Sequence, residues 1–142
     1  MGSAALPRDK VDLVRSSFKA VAPSSEAVAT LFYARLFMVA PHCRALFPQD
    51  MTAQKRKLMA MLAALIDGLD AQETILPELR ALGIRHARYG AERAHYHLVG
   101  SALLFALEQT LGPDWTPELG RAWADTYVFI SDVMQEAARA AA

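Results

Sequence analysis

The sequence has 142 residues, of which 54% are apolar and 21% are charged, and its 15 basic residues balance 15 acidic ones. This apolar content is enough to bury a core and too high for a disordered chain, and the length suits one domain over residues 1–142. Zero net charge argues against a nucleic-acid partner, because general nucleic-acid binders need a basic face.

Signals for targeting and for disulfide chemistry are sparse. The single cysteine, Cys43, excludes an intramolecular disulfide, a CxxC pair and a thiolate-rich zinc or iron–sulfur site. The N-terminus lacks an apolar stretch long enough for a signal peptide, and the uncharged run over 94–107 is too short to span a bilayer. We therefore expect a cytoplasmic protein without a membrane partner.

Helical periodicity recurs along the chain, whereas no segment alternates with the two-residue period of a strand. The first predicted helix carries an apolar stripe over 11–21. The second begins at a serine N-cap and stops at Pro41, and a short turn over 42–48 follows it. Thr52 is expected to cap a third, long helix whose apolar stripe ends at Leu69.

The second half of the chain continues the helical pattern. A shorter helix from Thr74 places His86 in line with its apolar stripe, and Gly83 interrupts it. A long helix over 92–111 comes next. The last helix has the clearest start, with Thr116 as N-cap and a proline at the first helical position. The pattern predicts an all-α domain of six or seven helices.

Of the residues that could carry out chemistry or bind a metal, one histidine remains as the main candidate. Adjacent residues on a helical turn point apart, which argues against a nucleophile–base pair of Cys43 and His42. His95 and His97 lie on different faces of one helix, which disfavours a two-histidine metal site there. His86 is either a core histidine with a hydrogen-bond partner or a metal ligand whose second ring nitrogen is fixed by an acceptor. Periodicity leaves both interpretations open.

The order of the segments resembles the globin family, in particular the bacterial single-domain haemoglobins and the globin part of flavohaemoglobins. The resemblance covers roughly residues 9–136. It rests on stretches at matching intervals: LFYARLF (31–37), RALFP (44–48), QKRKLMAML (54–62), LRALGIRHARYG (79–90), AHYHLVGSALL (94–104) and LGPDWTPELGRAWADTY (111–127). It implies a globin fold of six to eight helices packed around a pocket for haem b, iron protoporphyrin IX.

The resemblance also implies roles for single residues. His86 matches the proximal histidine, the ligand of the haem iron. Tyr33 and Gln54 match the distal side, where both can donate hydrogen bonds to bound O₂, whose oxygen atoms carry partial negative charge. The remaining matched positions would contact the porphyrin, and they are Phe47, Leu58, Tyr96 and Val99.

Two departures from the family pattern bear on function. Ala138 occupies the position of a proximal glutamate found in flavohaemoglobins, and Glu136 comes two residues earlier, so the polarisation of the proximal histidine is in question. The sequence also ends at Ala142 without flavin- or nicotinamide-binding segments. Any catalytic turnover is therefore expected to need an external reductase.

The sequence leaves three functions open. The first is reversible binding of O₂, CO, NO and similar small ligands at a pentacoordinate iron, for oxygen storage or transport, by a monomer or weak homodimer. The second is nitric oxide dioxygenase activity at the same site, supported by an external reductase. The third is a non-haem helical interaction module, which a colourless purified protein would indicate.

Overall fold

The computed structural model describes residues 5–142. The predicted domain therefore extends beyond the described residues, and so does the N-terminus that was considered for a targeting signal. All regular secondary structure within it is helical, which confirms the all-α prediction. The α-helices are α1 (Arg8–Val21), α2 (Ser25–Val39), α3 (Thr52–Asp67), α4 (Gln72–Arg88), α5 (Arg93–Leu111) and α6 (Pro117–Ala141). Short 3-10 turns cover Ala22–Ser24, Pro41–Leu46, Gly68–Ala71 and Gly112–Asp114. None of the helices within residues 5–142 combines the length and apolar character that crossing a bilayer requires.

Helix starts follow the sequence signals in one case and depart from them in two. Thr116 caps α6 as predicted, because its Oγ1 accepts the N–H of Leu119 at 3.1 Å. Ser24 forms no capping bond, since it ends a 3-10 turn with φ −108° and ψ 25° instead of the extended conformation of a cap. Thr52 is the first residue of α3 and not its cap, and its N–H donates to Oδ1 of Asp50 at 3.0 Å.

Gly83 does not interrupt α4, which runs through it for 17 residues. The residue is buried where α4 crosses α6, and a Cβ atom built on it would lie 2.2 Å from the carbonyl oxygen of Met134. Only glycine allows the two backbones to approach this closely. The glycine therefore marks a helix–helix contact, which the local sequence pattern does not distinguish from a helix break.

The helices pack in two groups around one core. Helix α6 contacts α1, α4 and α5, while α2 packs on α5 and α3. The indole of Trp123 is buried in α6, and its Nε1 donates to Oγ of Ser17 in α1 at 2.8 Å. Helices α3 and α4 both contact the 3-10 turn that joins them, Gly68–Ala71, yet they make no extensive contact with each other. They therefore diverge from that turn and do not pack along each other.

We expect Gly83→Ala to destabilise the protein, because the added methyl group must displace the backbone of Met134. Overpacking of this kind costs about 1–3 kcal/mol of unfolding free energy. Glu78→Ala, at an exposed position of the same helix, is the matched control and should change stability by less than about 0.5 kcal/mol. Urea unfolding followed by circular dichroism measures both, and equal stability of Gly83→Ala and wild type would contradict the close packing of α4 on α6.

Candidate functional site

His86 lies in the last turn of α4 and is half-buried. Its Nδ1 forms a hydrogen bond of 2.8 Å with the carbonyl oxygen of Leu82, one turn earlier. Because a carbonyl can only accept, Nδ1 carries a ring proton, and Nε2 is the nitrogen that can present a lone pair. Within residues 5–142 no hydrogen-bond partner satisfies Nε2. His86 therefore has one ring nitrogen fixed by a carbonyl, and Nε2 is the nitrogen left to bind a metal.

Tyr33 of α2 and Gln54 of α3 are in direct contact although 21 residues separate them. Nε2 of Gln54 donates to the hydroxyl oxygen of Tyr33 at 3.1 Å, and Tyr33 is only 4% exposed. Burial raises the pKa of the Tyr33 hydroxyl, and the hydrogen bond from Gln54 offsets part of that rise. The hydroxyl therefore remains protonated, and because its oxygen accepts from Gln54, its proton is available to a further acceptor.

Phe47 packs beside this polar pair. Its ring centroid lies 5.5 Å from that of Tyr33, edge-on, and 5.6 Å from that of Phe37. Phe47 follows the 3-10 turn Pro41–Leu46, and Arg44 of that turn donates to three backbone carbonyls just beyond it, at 3.0–3.3 Å. Arg44 thus fixes the chain that carries Phe47 and so holds a rigid aromatic surface next to Tyr33.

The other predicted porphyrin contacts lie on α3 and α5. Leu58 is half-buried one helical turn after Gln54, and Tyr96 and Val99 are half-buried in the first two turns of α5. Burial raises the pKa of the Tyr96 hydroxyl, so this group is neutral as well. All three pack against the hydrophobic core. The structure thus joins Tyr33, Gln54 and Phe47 directly, while in its described part the residues on α4 and α5 form no hydrogen bond with that group.

Tyr127 of α6 was not predicted as a site residue, and it forms a hydrogen bond with the backbone of α5, the helix that carries Tyr96. Its hydroxyl donates to the backbone carbonyl of Tyr96 at 2.5 Å. A Cβ atom on Gly100 would lie 2.5 Å from its ring, so only glycine leaves room for the ring. Burial is the main cause of the raised pKa of Tyr127, which stays protonated and able to donate. The local sequence does not show which backbone group this tyrosine reaches, because the contact joins α6 to α5.

Glu136 does not replace the missing proximal glutamate. It lines an open cavity of about 430 Å³ together with Gln72, Leu76 and Arg80, all of which belong to the first half of α4. His86 lies at the opposite end of that helix. His86 has the carbonyl of Leu82 as its hydrogen-bond partner, and Glu136 lies beside the start of α4.

Comparison with known proteins agrees with the fold. The Globin family model matches residues 30–134. The Flavohemoprotein of Bacillus subtilis is 28% identical over 130 residues, covering 89% of this chain and 33% of that protein. The Flavohemoprotein of Bordetella parapertussis is 33% identical over 128 residues, covering 85% of this chain and 32% of that protein. This chain spans about a third of the length of the curated relatives that it matches.

Solved structures give the same result. An engineered carbene transferase, made from a proposed nitric oxide dioxygenase of Rhodothermus marinus, superposes with a TM-score of 0.84 at 30% identity, covering 96% of this chain and 95% of its own. A bacterial globin from Campylobacter jejuni shares the fold with a TM-score of 0.82 at 18% identity, covering 95% and 98%. By sequence and by fold, this chain belongs to the globin family, and that membership implies that it binds haem.

Proposed function

We propose that this globin domain binds haem b through His86 and holds a diatomic gas, O₂ above all, beside Tyr33 for storage or transport. The observation that carries the proposal is the buried Tyr33–Gln54 hydrogen bond, which leaves one hydroxyl proton without an acceptor in the described residues. A buried neutral donor of this kind suits a ligand with partial negative charge.

The residues present fit haem. Nε2 of His86 offers a nitrogen ligand, and the ring is oriented by the hydrogen bond of its other nitrogen. Phe47, Leu58, Val99 and the ring of Tyr96 provide apolar surface on which a porphyrin can pack. When bound, haem supplies an iron that takes diatomic gases as ligands. Because α3 and α4 diverge, the Tyr33–Gln54 pair and His86 can lie on opposite faces of a flat haem group.

Gln54 acts on a gas ligand through Tyr33. Its amide donates to the phenol oxygen, which strengthens the phenol as a donor and directs the hydroxyl proton away from Gln54. One N–H of Gln54 is therefore engaged with Tyr33, where the sequence had suggested that both side chains address the ligand. Tyr33 is the donor in this proposal, and Gln54 is the residue that positions its proton.

Nitric oxide dioxygenase activity is the second candidate function at this site. It is favoured by the 30% identity to the engineered form of a proposed nitric oxide dioxygenase, over 95% of that chain. Converting NO to nitrate with O₂ leaves the protein oxidised by one electron, so sustained turnover needs an external reductase as a partner. NO consumption in cell extract, with and without added protein, tests this candidate.

His86→Ala should lose most of its haem, because only apolar contacts and a cavity would remain at the ligand position. Haem content per chain and the ferrous absorption spectrum measure the effect. His97→Ala, which removes an exposed histidine from α5, is the control and should retain haem. Stoichiometric haem with an unchanged ferrous spectrum in His86→Ala would show that another group binds the iron, and a colourless wild type would favour the non-haem interaction module.

Tyr33→Phe should release O₂ about 10- to 100-fold faster, because a hydrogen bond to a partly charged acceptor contributes about 1.5–3 kcal/mol. CO carries less charge when bound, so its release should change much less, which makes CO the internal control. Stopped-flow dissociation of both gases measures the two rates. If O₂ release in Tyr33→Phe equals that of wild type, the hydroxyl does not reach the ligand.

The same assay can separate the roles of the two distal residues. If Gln54 works through Tyr33, Gln54→Leu should release O₂ faster than wild type but slower than Tyr33→Phe. The double variant should then match Tyr33→Phe, because the positioning effect disappears with the hydroxyl. Faster O₂ release from the double variant than from Tyr33→Phe would instead mean that Gln54 donates to the ligand itself.

A further inference from the structure

A second cluster of ligating side chains lies where the 3-10 turn Pro41–Leu46 meets the start of α5. His42 and Cys43 are adjacent on that turn, and His95 is in the first turn of α5. The Nε2 atoms of His42 and His95 are 3.2 Å apart, and the ligating atoms of all three residues lie within 4.8 Å of one another. The sequence disfavoured pairing His95 with His97, and the fold instead provides His42 as its partner.

The spacing of these atoms fits a tetrahedral cation. Zn–N bonds of about 2.0–2.1 Å place two tetrahedral nitrogen ligands about 3.3–3.4 Å apart, close to the separation observed here. A Zn–S bond of about 2.3 Å places the sulfur about 3.6 Å from each nitrogen, and in the metal-free protein the three ligating atoms lie within 4.8 Å of one another. One thiolate with two imidazoles is a ligand set that favours Zn²⁺ over Mg²⁺ or Ca²⁺.

We propose that His42, Cys43 and His95 form a Zn²⁺ site, with water at the fourth position. Cys43 is only 6% exposed and His42 is exposed, so the ion would bind at the surface with its thiolate ligand on the protein side. The sulfur of Cys43 has no hydrogen-bond partner within the described residues, which leaves it available to a cation. The site does not depend on haem binding, since none of its ligands belongs to the proposed haem site.

In the metal-free protein, the hydrogen bonds of the cluster determine which ring nitrogen of each histidine carries its proton. The N–H of Glu92 donates to Nδ1 of His95 at 2.9 Å, so the ring proton of His95 is on Nε2 and is donated to Nε2 of His42. His42 therefore already presents a lone pair. On binding Zn²⁺, the ring proton of His95 moves to Nδ1 through solvent and the thiol of Cys43 loses its proton to solvent, a release of one proton per ion.

This proton transfer has a local consequence that can be measured. Once Nδ1 of His95 is protonated, the N–H of Glu92 has lost its acceptor. The Glu92 amide should therefore exchange with solvent faster in the presence of Zn²⁺, whereas bound ligands usually slow exchange. Unchanged exchange at Glu92 in Zn²⁺-saturated protein would exclude His95 as an Nε2 ligand.

The direct test is calorimetric titration of the full chain, as purified, with Zn²⁺. Wild type should bind one ion, and Cys43→Ser and His95→Gln should each weaken binding by at least about 100-fold, since even groups that only orient a ligand change metal affinity by about 10- to 100-fold. His97→Gln is the matched control and should bind as wild type does. Because Cys43 is buried, His42→Gln at an exposed position keeps the test valid if Cys43→Ser does not fold.

X-ray absorption at the zinc edge identifies the ligands. The proposal requires one sulfur at about 2.3 Å and two imidazole nitrogens at about 2.0–2.1 Å. A bound ion without a sulfur neighbour, or an affinity that survives both His42→Gln and His95→Gln, would overturn the proposal. Neither result would bear on the haem site, which the His86→Ala experiment tests separately.

Discussion

The hydrogen bond between Nδ1 of His86 and the carbonyl of Leu82 determines which nitrogen of this histidine can bind a metal. It places the ring proton on Nδ1 and leaves Nε2 as the nitrogen able to bind iron. The carbonyl is held in place by helix packing, because the next residue, Gly83, lies directly against the backbone of Met134 in α6. The contact that fixes α4 and the bond that orients its histidine therefore belong to one helical turn.

The pairing of Tyr33 with Gln54 depends on another helix contact, because α3 packs on α2 and makes no extensive contact with α4. This packing brings Gln54 onto the hydroxyl of Tyr33, and the bond compensates for burying a polar group. The resemblance to globins implied both residues, but not that one would donate to the other. The result is one buried donor supported by a second residue, and Tyr127 braces α5 on the proximal side through a backbone carbonyl.

The sequence predicted what depends on near neighbours along the chain. Helix positions follow from apolar periodicity, and the cap at Thr116 follows from three adjacent residues. Gly83 was misread as a helix break, because its local pattern does not show that another helix lies against it. The meeting of His42 with His95 was not predicted either, since 53 residues separate them and only the folded chain brings them together. Contacts between distant segments thus account for the difference between prediction and structure.

The central claim is that His86 is the one protein ligand of a haem whose other side is open to gases. Titrating haem into the protein and recording the ferrous, ligand-free absorption spectrum under anaerobic conditions tests it most directly. The account predicts uptake of one haem per chain and the single broad visible band of a pentacoordinate, high-spin iron. Failure to take up haem, or the two sharp visible bands of a six-coordinate, low-spin iron, would contradict it.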